Sequence, residues 1–129
     1  MKPTDLFLLK SLSKKDIGDL GEELAARRLK KMGYKIIGRN FSVPRVGEID
    51  IIAMDGEYLC FVEVRLRSRT DYGTPAETVT AEKRRRLVRT AEIYALKKGL
   101  TNSLMRFDVV EVYGTEKPRI EVIKDAFWS

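Results

Sequence analysis

The 129-residue chain has no histidine and one cysteine, Cys60. Without histidine it lacks the commonest zinc ligand and the usual general base at neutral pH. A lone cysteine excludes an internal disulfide, and its place in an apolar stretch suits a buried structural thiol. No apolar run is long enough to span a bilayer as a helix. Residues 1–10 include a short apolar patch at Leu6, Phe7, Leu8 and Leu9. They lack a signal-peptide core and cleavage site, so a cytoplasmic location is expected. No internal repeat or low-complexity tract breaks the chain.

What the chain does have is positive charge. Lys and Arg number 25 against 19 Asp and Glu, for a net charge of +6. That balance favours a polyanionic partner, either nucleic acid or an anionic membrane surface. The length predicts one domain over residues 1–129, with 1–12 as a flexible N-terminal arm. A chain of this size buries about two thirds of its unfolded surface and needs no staples.

Residues 47–65 organise the rest. They read as two strands joined by a tight turn near Asp55-Gly56. Both strands are apolar at nearly every position, as central strands are. Yet Asp50 sits among Ile49, Ile51 and Ile52, and Glu63 sits between Val62 and Val64. A carboxylate in such a run is costly to bury unless it is paired or coordinated. An Asp55-Gly56 loop sets Asp50 opposite Phe61, with Glu63 on the diagonal. A Gly56-Glu57 loop sets Asp50 directly opposite Glu63. Either register places Asp50 and Glu63 on one face with Glu48 and Arg65, and Ile49, Ile51, Val62 and Val64 on the other.

A helix is predicted from the Ser13 cap, with Asp16 completing a capping box, to Gly33. Ile17, Leu20, Leu24, Ala25, Leu29 and Met32 form its stripe. A short strand follows at 34–37, then a polar, basic connection over 38–45. Arg65, Arg67 and Arg69 alternate at the end of the second hairpin strand, before a loop over 70–80. A second helix starts near Ala81 behind the Thr80 cap and ends at Gly99. It carries the basic cluster Lys83-Arg84-Arg85-Arg86. Strands are predicted at 105–113 and 119–123. Ala126, Phe127 and Trp128 would cover the core or a subunit contact. The order helix, three strands, helix, two strands predicts an α/β fold, a mixed sheet with helices on both faces.

Two carboxylates on neighbouring strands with basic flanks suit a hard divalent cation such as magnesium. Such an ion makes phosphodiester hydrolysis feasible without histidine. The competing reading pairs Asp50 and Glu63 with Arg65, Arg39 or Arg106 as ordinary ion pairs, and leaves the basic helix starts as solvated faces.

Gly18-x-x-Gly21-Glu22-x-x-Ala25, Gly33-Tyr34, Arg39-Asn40, Gly47-Glu48-Ile49-Asp50, Phe61-Val62-Glu63-Val64-Arg65-x-Arg67, Tyr72-Gly73-x-Pro75, Lys83 and Arg106-Phe107-Asp108-Val109 resemble the YraN-like uncharacterised bacterial family. The resemblance covers residues 14–123. It implies a restriction-endonuclease-like fold, similar to Holliday-junction resolvases. It further implies Glu22, Asp50 and Glu63 around Mg2+ or Mn2+, with Arg65 where such nucleases carry lysine. Arginine cannot give up its proton as a general base, though it can hold a phosphate. The expected activity is cleavage of DNA, branched or damaged. Arg39, Arg65, Arg67, Arg69, Lys83 and Arg84 would contact the backbone, in a homodimer suited to junction substrates. The alternative is a DNA-binding module that keeps the nuclease fold without turnover.

Overall fold

A computed structural model describes residues 13–67, 79–114 and 117–127. The expected arm at 1–12, Arg69, most of the 70–80 loop and Trp128 lie outside the described residues. The elements are α1 (Lys14–Lys31), β1 (Lys35–Val43), β2 (Gly47–Asp55), β3 (Tyr58–Arg67), α2 (Ala81–Lys98), β4 (Leu104–Tyr113) and β5 (Arg119–Ile123). The order is the expected one.

The helices start where their caps dictate. Ser13 Oγ accepts from the Asp16 amide at 3.1 Å, and Asp16 accepts in return from the Ser13 amide. Thr80 Oγ1 accepts from the Lys83 amide at 3.2 Å, which fixes the first turn of α2. The five strands lie in the order β1-β2-β3-β4-β5. Of these neighbours only β3 and β4 run parallel, with α2 as the crossover between them. Each helix covers one face. Ala25, Ala26 and Leu29 of α1 pack on Ile51, Cys60, Val62 and Val110. Leu87, Ala91 and Tyr94 of α2 pack on Ile52, Phe61, Phe107 and Val109. Burial of this apolar area, at about 25 cal/mol per Å², is the main favourable term.

Asp55 pairs with Tyr58, so Gly56 and Glu57 form the loop and the second of the two registers is adopted. Two expectations fail. The strand expected at 34–37 runs on to Val43, and the basic connection shrinks to a turn at 44–46. β1 is an edge strand, where polar side chains can stay in solvent. Ile49 also does not share a face with Ile51. It joins Ile52 against α2. The cause is a paired break in alternation. Asn40 has φ +53°, and its neighbours Arg39 and Phe41 pair with Ile51 and Ile49. Arg39 reaches Glu23 on α1, while Phe41 meets the Tyr94 ring on α2 edge-on at 5.1 Å. Asparagine tolerates the left-handed region better than most residues.

Close approach is secured by missing side chains. A Cβ at Gly47 would lie 2.7 Å from Thr90 Oγ1 and 3.3 Å from the Arg86 carbonyl oxygen, so Gly47 lets α2 sit directly on β2. A Cβ at Gly21 would collide with Leu66, which brings α1 down on β3. Phe127 stacks on Phe107 at 5.2 Å and closes the α2-side core, one of the two roles expected for the C-terminal segment.

The hairpin end of the sheet is pinned by Arg106. Its guanidinium donates to Asp108 at 2.9 Å, Asp55 at 2.6 Å and the Tyr34 hydroxyl at 2.9 Å. The Tyr34 hydroxyl donates to Asp108 at 2.7 Å, and Lys124 reaches Asp55. Burial, with the Asp108 charge beside it, pushes the Cys60 thiol up to about 12, so it stays protonated as expected of a structural thiol. Removing one partner of a buried pair leaves the other charged and uncompensated. Arg106→Met should therefore lower the unfolding free energy by about 3–5 kcal/mol in urea titrations. A loss under about 1 kcal/mol, the worth of an exposed pair, would refute the pin.

Candidate functional site

At the opposite end, β2 and β3 come apart. Their ladder runs from Asp55 and Tyr58 to Ile51 and Val62. At the next step Asp50 Oδ2 accepts from the Val64 amide at 2.8 Å. A side chain has taken the place of a strand carbonyl, so the amide is satisfied while the backbones separate. The gap is a cleft of about 470 Å³ on the α2 side, lined by Gly47, Glu48, Asp50, Glu63, Lys83 and Arg86 among others. A second hollow of about 320 Å³ opens on the α1 side, where Glu22 and Asn40 join Glu48 and Asp50. Asp50 thus stands between helices that cover opposite faces.

The carboxylates are crowded. Burial pushes Asp50 up to about 6, helped by the charge of Glu22, a hydrogen bond with it, and the charge of Glu48; the Val64 amide opposes this. Burial and then the Asp50 charge raise Glu63 above the usual carboxylate range, against the pull of Lys83 and Arg65. Lys83 Nζ lies 2.5 Å from Glu63 Oε1, reaching down from the first turn of α2. Neither Asp50 nor Glu63 pairs with Arg39 or Arg106. Those arginines are held by Glu23 and by Asp55 and Asp108.

The expected residues divide clearly. Glu22, Asp50, Glu63 and Lys83 converge on the cleft and its α1-side hollow. Arg65 follows Glu63 on β3, and its Nε is buried without a hydrogen-bond partner among the described residues. Arg67 donates from Nε to Glu111 at 3.0 Å. Arg84 turns away, donating to the Val79 carbonyl at 2.9 Å and lying over the Phe127 ring. Arg39 stands on the α1 side. Two residues of this region were missed, whereas Glu48 was expected on the Asp50 face by parity though not assigned to the site. Arg86 lies three residues after Lys83, a spacing that aligns them on a helix. Glu111 is an acid inside the apolar strand Leu104–Tyr113, the same signal that singled out Asp50 and Glu63.

Among the described residues, no group of three or more His, Cys, Asp or Glu side chains is arranged to hold a metal ion. Asp50 lines both the cleft with Glu63 and the α1-side hollow with Glu22, and the three do not form such a group. Yet the donor set is all oxygen, and magnesium needs only one or two carboxylates besides water and phosphate. Burial, and after it the neighbouring acids, raise the proton affinity of both strand acids, and a hard cation would offset both effects. A donor set of this kind is one that magnesium or manganese would accept.

Burial of Asp50, with Glu22 and Glu48 beside it, gives a pH dependence in metal-free buffer. The unfolded chain loses the Asp50 proton near pH 3.9, whereas the folded chain keeps it to about 6. Between those values the folded state binds more protons, so stability falls as pH rises. Asp50→Asn abolishes this penalty while its amide oxygen can still accept from Val64. The variant should be more stable than wild type by about 2–3 kcal/mol at pH 8, with the gap closing near pH 4. A gap that does not change with pH in EDTA would contradict this placement of Asp50.

The model of the uncharacterised protein family UPF0102 matches residues 21–112, which span β1 to β4 and most of α1. A UPF0102 protein of Clostridium kluyveri is 47% identical over 116 residues, covering 88% of this chain and 94% of its own. One from Dehalococcoides mccartyi is 48% identical over 115 residues, with the same coverage of 88% and 94%. One from Caldicellulosiruptor saccharolyticus is 44% identical over 119 residues, covering 90% of this chain and 100% of its own. Family match and near full-length likeness agree: this chain belongs to the UPF0102 family.

Proposed function

We propose that this protein is a magnesium-dependent endonuclease of restriction-endonuclease-like and Holliday-junction-resolvase-like kinship that hydrolyses phosphodiesters in DNA, branched or damaged DNA in particular. The observation that carries this reading is the meeting of Asp50, Glu63 and Lys83 where β2 and β3 part. The five-stranded mixed sheet between two helices agrees with it.

Asp50 and Glu63 would hold the cation, with Glu22 backing Asp50 from α1. A bound magnesium would lower the pKa of the attacking water and offset charge on the phosphodiester. Lys83, reaching in from α2, would supply the lysine that β3 lacks. Its ammonium sits on Glu63 and would face the scissile phosphate, where a fixed cation stabilises developing charge. Arg65 would hold a phosphate oxygen without exchanging protons. Arg86 and Arg67 extend the cationic rim; Arg39, Arg69 and Arg84 would be outer backbone contacts. A cytoplasmic homodimer would match the two-fold symmetry of a four-way junction. Among the described residues, no helix is long and apolar enough to cross a membrane.

A second reading is a DNA-binding module without turnover. It is favoured by the Glu63–Lys83 pair, which neutralises one acid internally.

The test is cleavage of labelled duplex, single-stranded, flap and four-way-junction DNA with magnesium or manganese. Wild type should cut, and Asp50→Asn should not, while keeping much of its binding. Lys83→Met should slow cutting by about 10²-fold or more. Undiminished cutting by Asp50→Asn would sink the assignment. Tight, salt-sensitive binding by both proteins without any cutting would favour the module.

A further inference from the structure

Beyond the cleft, β3 carries Arg65 and Arg67 at alternate positions after Glu63, so the three share a face. The parallel ladder puts Val109 beside Glu63, Glu111 beside Arg65 and Tyr113 beside Arg67. Glu111 is fully buried. Its Oε2 accepts from Arg67 Nε at 3.0 Å, but its Oε1 has no partner among the described residues. Arg65, its neighbour across the ladder, has a buried Nε that is equally unmatched among them. A carboxylate oxygen and a guanidinium N–H left unpaired on adjacent positions are each costly. Among the described residues the network of Arg65, Glu111 and Arg67 is left open.

The layering indicates what closes it. Arg67 keeps 20% of its side chain exposed, whereas Glu111 keeps 1%. The acid lies beneath and the arginine above it. A guanidinium held from behind through Nε still has its Nη donors for a planar, bidentate anion. Strand rise makes each step from Glu63 to Arg65 to Arg67 about 6.6 Å, comparable with the step between successive phosphates of a nucleic-acid strand.

We propose that Glu111 is a positioning residue that aims Arg65 and Arg67 as a clamp on the phosphate next to the one in the carboxylate cleft. The proposal rests on reading that cleft as a phosphodiester site. When the phosphate arrives, Arg65 turns its Nε onto the open Glu111 oxygen and both Nη groups onto the anion. Arg67 is already held through Nε. Two arginines and one glutamate leave a net positive charge for the ligand.

The sign of one substitution separates this role from a plain internal ion pair. Removing a negative charge should by itself tighten binding to a polyanion. Loss of the clamp weakens it. Full-length Glu111→Gln should bind a labelled four-way junction, with calcium in place of magnesium, about tenfold more weakly than wild type. Its salt slope should be shallower by about 0.9 for each phosphate it no longer neutralises. In wild type, titration with inorganic pyrophosphate should move the Arg65 Nε–H resonance downfield, and Glu111→Gln should abolish that shift. Equal or tighter junction binding by the variant, with an unmoved Arg65 resonance in wild type, would overturn the clamp. Should Glu111→Gln fail to fold, Arg65→Lys keeps the charge and removes the fork. Severalfold weaker binding at unchanged Tm supports the clamp, and equal binding overturns it. Wild type that binds neither junction nor pyrophosphate overturns both readings. Because the readout is binding, a chain that clamps phosphate without cutting overturns only the nuclease reading.

Discussion

One hydrogen bond sets the shape of the functional end of this molecule: the Val64 amide to the Asp50 carboxylate. In an uninterrupted hairpin that amide would be satisfied by a backbone carbonyl of β2. Handing it to a side chain lets β2 leave β3 without an orphaned donor. The space gained becomes a cleft whose floor is the strand acids. The same acid is crowded by Glu22 from one helix layer and lies across the cleft from Lys83 in the other. Asp50 is thus both the wedge that opens the sheet and the most strongly perturbed carboxylate in the opening.

Such an arrangement opposes stability, and the opposite end of the sheet is built the other way. There, charges are matched. Arg106 meets Asp55 and Asp108, Tyr34 donates to Asp108, and the Asp125 amide completes the carboxylate's partners. The two ends show how burial of charge can lead to opposite results. A matched network specifies packing, whereas buried acids with raised proton affinity mark a candidate site. Gly47 and Gly21 serve the ready end by letting α2 and α1 close on β2 and β3, which brings Lys83 and Glu22 within reach.

Much of this was legible in the residues because each element carries its own punctuation. Ser13 with Asp16 and Thr80 mark helix starts, and continuous apolar runs mark the central strands. Asp50 and Glu63 stood out because acids are costly in such runs. The side of Ile49 was not legible, since a period-two argument assumes unbroken alternation and Asn40 breaks it with a positive φ. The full length of β1 was hidden because its residues are those of a loop; only its place at the sheet edge makes them tolerable. The choice of Lys83 over Arg84 depended on the rotation of α2 about its axis, which Gly47 and the Thr80 cap determine and helical periodicity alone does not. Glu111 carries the same signal as the strand acids, but its partner Arg67 lies 44 residues away in the chain, and no local pattern joins them.

The nuclease reading turns on a hard cation entering the gap that Asp50 opens. A manganese titration followed through backbone amide resonances tests this directly, because the paramagnetic ion broadens the nearest signals. The amides of Asp50, Glu63, Val64 and Lys83 should broaden first, at manganese concentrations that leave Asp55, Asp108 and Asp125 sharp. First broadening at the Arg106 end of the sheet, or uniform broadening over all surface acids, would contradict a cation site in the cleft.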